Sequence, residues 1–330
     1  MKVVKLLLYL VLSGVAGCSG LQSALDVHGT PATHLKHLMT AFFWICAIVW
    51  LLVIVTLIYA LVRSHTADAS TQLDGPRTRI AVSGAVAATA VIITGLTIAS
   101  FYTTRSIDTR MGDAITIAVK GEQWWWRVRY PNPDWVLEFE TANEIHIPVG
   151  RDVRLQLESA NVIHSFWVPS LAGKQDLVPG RSNTLLIRAE RPGVYRGQCA
   201  EFCGLQHSHM GILVVAEDEA SFSRWLASQR VVRSRTMDDE AAAGERVFLA
   251  KPCAACHTVR GTFATGISGP DLTHVGSRRT IGAGLLETTR GSLAAWIADP
   301  QTLKPGNNMP MVPLTSDELR QVSRYMDVLR

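Results

Sequence analysis

Two long apolar runs lie near the start of the chain, over residues 40–62 and 80–102, and neither contains a charged side chain. Each has the length of a helix that crosses roughly 30 Å of hydrocarbon. Small residues such as Gly84 and Gly95 occur along the second run and allow a neighbouring helix to approach closely. The pattern predicts a transmembrane helical hairpin over residues 40–102. A buried helix of a soluble protein is the alternative for each run.

Residues 1–17 combine Lys2 and Lys5 with an apolar stretch and small residues, which is typical of a secretory signal. The sequence Val-Ala-Gly before Cys18 resembles a bacterial lipoprotein box, so we expect cleavage before Cys18 and lipidation of its thiol. An ordinary signal peptide or an uncleaved anchor helix is the alternative. Residues 18–39 are then an extracytoplasmic N-terminal segment. A lipid here adds a tether to the two predicted spans.

The loop between the two apolar runs, residues 63–79, contains three arginines. Positively charged loops favour the cytoplasmic side of a membrane. This orientation places the rest of the chain, after residue 102, on the outer face.

The hydrophobic pattern changes to short alternating runs over residues 103–217. Gly and Pro turns separate these runs, which is typical of strands in a sandwich or barrel. The predicted strands cover residues 115–119, 144–148, 153–157, 184–188 and 211–215.

The last third of the chain has the pattern of helices. A short helix over residues 219–229 precedes the end of a polar linker, residues 218–239. Residues 240–330 then form a small all-α domain, with helices predicted over residues 240–249, 293–298 and 316–329. Loops rich in Gly and Pro separate these helices.

Composition narrows the class of protein. The 330 residues suggest two or three domains, and the net charge is a modest +4. We find no basic patch interleaved with aromatic residues, so nucleic acid is not an expected partner. The six cysteines stand in distinct chemical contexts, which argues against three disulfides.

Soft donor atoms cluster in one short segment, which contains Cys199, Cys203, His207 and Met210, and His164 precedes it. Thiolate, imidazole and thioether ligands together suit a copper site that transfers electrons. The two cysteines are close enough in sequence to share one loop. A disulfide between them is the alternative, but it leaves His207 and Met210 without a role.

A second motif, Cys253-Ala-Ala-Cys256-His257, is a C-x-x-C-H attachment site for c-type haem. Cys253 and Cys256 would form the thioether bonds, and His257 would be the proximal ligand. We favour Met309 as the sixth ligand because a proline follows it, as in the usual c-type pattern. Alternatives for the sixth ligand are Met311 and His274, and a zinc knuckle is the alternative for the motif. One chain with both signatures is expected to move single electrons from haem to copper.

The copper segment resembles the binuclear copper A centre of cytochrome c oxidase subunit II. Residues 161–169, 173–181 and the run 121–126 with its three tryptophans also match that family. A fused haem domain is found in caa-type members. The resemblance implies a cupredoxin-like sandwich over residues 103–217 and a cytochrome c domain over residues 240–330.

The resemblance also implies roles for individual residues. Cys199 and Cys203 would bridge two coppers, with His164 and His207 as terminal ligands, one to each copper. Met210 would be a weak ligand to one copper and the Glu201 carbonyl a ligand to the other. The Glu201 carboxylate would bind a magnesium ion shared with subunit I, and Trp124 would help electrons reach the copper. In place of the glutamate with which the second span begins in many members, this chain has residues 75–82 without one.

The function implied is that of subunit II of a proton-translocating cytochrome c oxidase in the bacterial cytoplasmic membrane. Its partners would be subunit I, subunit III and a reduced cytochrome c or similar carrier, with oxygen chemistry in subunit I. One alternative is a membrane-tethered haem and copper carrier without an oxidase partner. A copper-delivery or thiol-redox module is another, and a quinol-oxidase subunit is a third, although such chains lack the copper ligands.

Overall fold

The computed structural model describes residue 20 and residues 22–64, 75–108, 114–134, 137–232 and 237–330. The predicted signal segment and Cys18 lie outside the described residues. The chain divides into two units, one of residues 33–110 and the other of residues 1–32 and 111–330.

Helices α1 (Thr30–Ser64) and α2 (Pro76–Asp108) contain the two predicted apolar runs. Both helices are long and apolar enough to cross a membrane. They are longer than the apolar runs, because α1 begins at Thr30 and α2 at Pro76. Proline is tolerated in the first turn of a helix, where its missing N–H has no intrahelical partner, and Pro31 and Pro76 both occupy such positions.

Within the part of the chain that the structure describes, ten strands follow and form two five-stranded sheets. They are β1 (Ile115–Glu122), β2 (Trp125–Tyr130), β3 (Phe139–Ala142), β4 (Glu144–Pro148), β5 (Val153–Ser159), β6 (His164–Trp167), β7 (Gln175–Leu177), β8 (Asn183–Ile187), β9 (Gly193–Cys199) and β10 (Gly211–Glu217). The sheet orders are β3-β2-β1-β5-β8 and β4-β10-β9-β6-β7. Two neighbouring pairs, β1 with β5 and β4 with β10, are parallel. The predicted all-β cupredoxin-like sandwich is confirmed.

Alternation of apolar and polar residues builds the core of the sandwich. On β5, Val153, Leu155 and Leu157 are fully buried, while Gln156 and Glu158 are exposed. Because successive side chains of a strand point to opposite faces, the apolar set faces the other sheet. Strand β4 departs from this pattern, since all five of its residues are buried. Helix α3 (Glu219–Arg230) contacts β4 and β10.

The last domain is helical. It contains α4 (Asp239–Ala250), α5 (Cys253–Cys256), the two-residue strands β11 (Thr280–Ile281) and β12 (Leu286–Glu287), α6 (Arg290–Ala298), α7 (Pro300–Leu303) and α8 (Ser316–Val328). Helix α4 packs on α8 at very short range, because a methyl group at Gly244 would lie 2.1 Å from the Gln321 carbonyl oxygen. Phe248 and Tyr325 contact each other in the core beside this crossing. The predicted helical character of the domain is confirmed.

Candidate metal centre and haem-attachment site

Strand pairing brings His164 to the end of β9. Phe166 on β6 is the register partner of Cys199 on β9, and Ala200 N donates a hydrogen bond of 2.9 Å to Ser165 O. His164, two residues before Phe166, therefore stands beside the first cysteine. Its imidazole is fully buried.

Residues 199–210 form one closed loop, called here the copper loop. It starts at the end of β9 and ends at the start of β10, and Cys199 N donates to Met210 O at 2.9 Å across its base. A short 3-10 turn at His207–His209 bends the chain back towards β10. Two paired strands thus hold both ends of the segment that contains the predicted ligands.

The predicted copper ligands converge on one point. Cys199 Sγ lies 3.8 Å from Cys203 Sγ and 3.8 Å from His164 Nδ1, while Cys203 Sγ lies 3.5 Å from His207 Nδ1 and 3.9 Å from Met210 Sδ. Both cysteines are free. A disulfide bond is about 2.05 Å long, so the two sulfur atoms are too far apart for the alternative of a crosslink.

This donor set fits a soft metal. The ligand atoms of His164, Cys199 and Cys203 all lie within 4.8 Å of one another, and all three residues are buried. Met210 is also fully buried. Two thiolates, two imidazoles and a thioether are ligands that select copper over hard cations.

The two thiols differ in their proton affinity. The pKa of Cys199 is lowered, chiefly because the Cys203 thiol hydrogen-bonds to it, with a smaller contribution from His164. The same interaction raises the pKa of Cys203. The thiolate is the form of cysteine that binds metal, and the lowered pKa of Cys199 favours that form.

Glu201 presents two different groups. Its carbonyl oxygen lies 3.2 Å from Cys199 Sγ, where it can approach a metal bound by that sulfur. Its carboxylate forms a half-exposed ion pair with Lys174 at 3.6 Å. The magnesium role of this carboxylate stays a prediction.

Trp124 lies directly on the copper loop. Its indole Nε1 donates to Cys203 O at 2.9 Å, and Gln123 Nε2 donates to the same oxygen at 2.8 Å. The residue is 9% exposed. Its ring is therefore in hydrogen-bond contact with a predicted bridging cysteine.

Neighbouring residues fix the orientation of His164. Asn161 Oδ1 lies 3.2 Å from its Nε2, so Nδ1 is the nitrogen that faces the sulfur atoms. Trp126 packs against the imidazole from the side, with ring centroids 6.1 Å apart. A partner on the second ring nitrogen holds a metal-binding histidine in one orientation and tautomer.

The haem motif has a similar arrangement. Cys253 and Cys256 are half-buried free thiols at the two ends of α5, and His257 follows directly. The His257 Nδ1 lies 2.8 Å from the Pro270 carbonyl oxygen, which leaves Nε2 for an axial metal bond. Burial lowers the pKa of His257, which favours the neutral, ligating form. These features fit a covalently bound haem.

The candidates for the sixth haem ligand differ in exposure. Met309 is half-buried in a loop that Gln301 holds, since Gln301 Nε2 donates to Met309 O at 2.8 Å. Met311 is 59% exposed, and His274 is buried in the domain core. Burial lowers the pKa of His274. The choice of Met309 stays a prediction.

Three polar residues with defined contacts, His146, His209 and Lys304, were given no role from the sequence. His146, to which the sequence assigns no role, lies between Glu144 Oε1 at 3.0 Å and Glu217 Oε2 at 3.1 Å. His209 contacts Gln206 Oε1 at 2.8 Å. Lys304 is buried at the contact between the sandwich and the helical domain. No sequence signal marks Lys304, because its partners lie far away along the chain.

Comparison with protein families gives a match for the sandwich domain and a match for the helical domain. The sequence profile of the cytochrome c oxidase subunit II periplasmic domain matches residues 115–217, and that of cytochrome c matches residues 241–330. The chain combines a subunit II periplasmic domain with a cytochrome c domain. The predicted resemblance to subunit II with a fused cytochrome c domain is thus confirmed, and the two families imply copper A and haem as cofactors.

Named relatives agree with these domains. Cytochrome c oxidase subunit 2 of Alkalihalophilus pseudofirmus is 39% identical over 212 residues, which cover 64% of this chain and 60% of the relative. The protein of the same name from Bacillus subtilis is 30% identical over 229 residues, covering 66% of this chain and 63% of the relative. The chain thus spans less than two thirds of either relative.

A solved structure also resembles part of the subunit II domain. The periplasmic domain of subunit II of cytochrome oxidase from Bradyrhizobium japonicum is 32% identical, with a TM-score of 0.33. The match covers 35% of this chain and 93% of that one.

Proposed function

We propose that the chain is subunit II of a caa-type haem–copper terminal oxidase. It accepts electrons from a reduced cytochrome c or equivalent carrier through its own haem c, and passes them by way of copper A to the haem of subunit I. Dioxygen is reduced to water in subunit I, with proton pumping. The chain is the electron-accepting part of a cytochrome c oxidase.

The convergence of His164, Cys199, Cys203, His207 and Met210 on one buried point carries this proposal. The pattern of two thiolates with two imidazoles and a thioether serves single-electron transfer. A copper-delivery module needs a site that opens to release its metal. Here, paired strands hold both ends of the copper loop, and His164, Cys199, Cys203 and Met210 are buried.

Each side chain has a defined task in this proposal. The sulfur atoms of Cys199 and Cys203 would hold the two coppers together with the imidazoles of His164 and His207, and Met210 and the Glu201 carbonyl would complete the set. When bound, copper A and haem c supply reversible one-electron redox chemistry. The protein holds their ligands in fixed positions, so that little rearrangement accompanies a change of oxidation state.

The proposed haem ligands are Cys253, Cys256, His257 and Met309. A thioether opposite histidine stabilises ferrous iron and raises the reduction potential. Trp124 is the proposed contact through which electrons reach the copper loop, supported by its hydrogen bond to Cys203 O.

We place the chain in the bacterial cytoplasmic membrane, with both metal domains on the outer face. Two apolar helices of sufficient length support this placement. Subunits I and III are the proposed partners, and magnesium at Glu201 would lie at the contact with subunit I. We keep the boundaries predicted from sequence: 1–17, 18–39, 40–102, 103–217, 218–239 and 240–330. Lipidation at Cys18 remains part of the proposal.

The first test is to purify the membrane complex and measure copper, iron, optical and EPR spectra in two variants. Cys199→Ser is expected to abolish the signal of an electron shared between two coppers and to leave the haem spectrum intact, because it removes a bridging sulfur. Met309→Leu is expected to change the haem spectrum and to leave the copper signal intact, because it removes only an axial haem ligand.

Matched controls are available for both substitutions. Cys46→Ser changes a free, exposed cysteine of α1, and Met311→Leu changes the exposed methionine next to Met309. Neither control is expected to change either spectrum. A single mononuclear copper, or the absence of covalent haem, contradicts the proposal. Copper and haem without a co-purified catalytic subunit indicate a tethered carrier instead.

A further inference from the structure

The cytochrome c domain contacts the copper loop and the residue that follows it. Gly211 N, next to Met210, donates a hydrogen bond of 2.9 Å to Ala283 O in the turn between β11 and β12. Gln206 Nε2, within the copper loop, donates to Pro305 O at 2.8 Å. Both domains belong to the same compact unit. The loop that holds the predicted metal ligands is therefore bonded to the haem domain through Gln206, and the residue that follows the loop is bonded to it through Gly211.

Lys304 joins these elements at the centre of the contact. Its Nζ donates to Trp124 O at 2.7 Å, His209 O at 2.7 Å and Gly282 O at 2.9 Å. The first two carbonyls belong to the copper domain and the third to the cytochrome c domain. Three acceptors match the three N–H bonds of an ammonium group.

The lysine is 2% exposed. Burial lowers the pKa of Lys304 to about 7. A buried amine is tolerated only where hydrogen bonds replace its hydration, and the three carbonyls supply that replacement. The site is thus built around this side chain, and an apolar residue of similar length would remove the donor that these three carbonyls share.

The same contact encloses Trp124. A methyl group at Gly204 would lie 3.1 Å from its Cζ2, and one at Gly306 would lie 3.8 Å from its Cη2 and 3.1 Å from Leu205 Cδ2. Gly204 belongs to the copper loop and Gly306 to the loop that contains Met309. The indole therefore lies between backbone segments of the two domains, where an external protein has no space to approach.

We propose that Lys304 is a positioning residue that holds the loop containing Met309 against Trp124 and so closes this surface to external carriers. The inference rests on the proposed function, because it concerns how electrons reach the copper site. A soluble donor must then deliver its electron to the haem of this chain. With both groups bound, one electron would pass from the reduced haem to the oxidised copper centre, and no bond would form or break.

The first measurement is hydrogen–deuterium exchange on the full chain, which does not depend on electron transfer. Lys304→Met keeps the length of the side chain and removes all three donors. We expect backbone amides of residues 204–211 and 282–285 to exchange at least about tenfold faster, because the contact opens more often. Lys304→Gln, which keeps two N–H donors on a shorter side chain, is expected to fall between Lys304→Met and the parent chain.

Lys251→Met is the matched control. Lys251 lies in the same domain but pairs with Glu318 at 3.0 Å and is bonded to Pro313 O, outside this contact. It is expected to leave exchange in both segments unchanged. Unchanged exchange in Lys304→Met, with haem and copper spectra like those of the parent, would overturn the proposal.

The second measurement is transient absorption after rapid reduction of the haem. In Lys304→Met, we expect slower oxidation of the haem by copper, with unaltered optical and EPR spectra of each centre. Altered spectra with normal exchange would instead assign Lys304 to one of the metal sites and overturn its positioning role. If no variant or parent binds copper, the proposed function fails, whereas the exchange result still decides whether Lys304 holds the two domains together.

Discussion

At the scale of single residues, Gly121 shows how closely the predicted copper ligand His164 is packed. A methyl group at this position of β1 would lie 2.8 Å from Cδ2 and 3.0 Å from Cγ of the imidazole. These atoms are near the root of a fully buried side chain, so the ring has little freedom to move away. Glycine at residue 121 is therefore a requirement of the site.

Gly121→Ala is expected to displace the His164 ring and to lower the free energy of unfolding by about 1–3 kcal/mol, as overpacking does. Copper content and the optical bands of copper A measure the displacement, while the haem spectrum should stay unchanged. Gly193→Ala on β9 is the control, because its nearest contact would be an ordinary 3.5 Å to the Tyr195 ring. Equal effects of the two substitutions on copper would refute the steric argument.

The ligand residues could be predicted from the sequence because their chemistry is local. Cys199, Cys203, His207 and Met210 share one segment, and soft donors at such spacing are rarely accidental. The tasks of Gly121 and Lys304 could not be predicted, because each depends on a partner brought close only by the tertiary fold. Lys304 and the Trp124 carbonyl, for example, are separated by 180 residues.

At the scale of elements, helix α8 owes its sharp start to a capping box. Thr315 Oγ1 accepts a hydrogen bond from Glu318 N, and the Glu318 carboxylate accepts one from Thr315 N at 2.8 Å. The helix then buries Val322, Tyr325 and Met326 against the rest of the cytochrome c domain. The capped first turn thus determines where the helix begins, and therefore which of its residues face the core.

Thr315→Ala is expected to destabilise the cytochrome c domain by about 1 kcal/mol, because it removes the side-chain acceptor at the helix start. Thermal unfolding followed through the haem absorption of the full chain measures this loss. Ser316→Ala, at the exposed neighbouring position, is the control and should leave the midpoint unchanged. A midpoint for Thr315→Ala equal to that of the control would show that the cap contributes nothing.

Strands β1, β4, β5, β8 and β10 were predicted from the sequence, whereas β2, β3, β6, β7 and β9 were not. Strands β1 and β5 alternate regularly, and α8 follows the helical repeat. Strand β6, His164–Trp167, is almost wholly buried and gives no alternation, while the three-residue β7 exists only as its pairing partner. Tertiary pairing rather than local preference determines such strands.

At the scale of the whole molecule, Glu144 links the two domains by a bond sensitive to pH. Its Oε2 accepts a hydrogen bond from Arg279 N of the cytochrome c domain at 2.9 Å, and its Oε1 contacts His146 Nε2. Burial alone would raise the pKa of Glu144, but the hydrogen bonds from His146 and Arg279 and the charge of Arg278 outweigh it and lower the pKa.

A carboxyl group whose pKa is lowered on folding stabilises the protein above its unfolded pKa. This contribution is lost as the pH falls from about 4.5, the ordinary value, through the lower folded value. At neutral pH, Glu144→Gln is expected to cost about 1–3 kcal/mol, because it weakens hydrogen bonds to a buried charge. The difference from the parent should shrink in acid.

Thermal midpoints of both proteins across the acid range measure this dependence. Glu158→Gln, an exposed carboxylate on β5 of the same domain, is the control and should follow the parent at every pH. A gap between parent and Glu144→Gln that persists unchanged in strong acid would contradict the assigned role.

Because β6 pairs with β9, a copper ion bound between them would stabilise the fold. His164 and Cys199 are 35 positions apart, and each enters from a different strand. A bound ion would link these two strands and close the segment of chain between them, which only backbone pairing otherwise closes. Because metal binding adds to the free energy of folding, removal of the metal is expected to weaken the domain first where β6 pairs with β9.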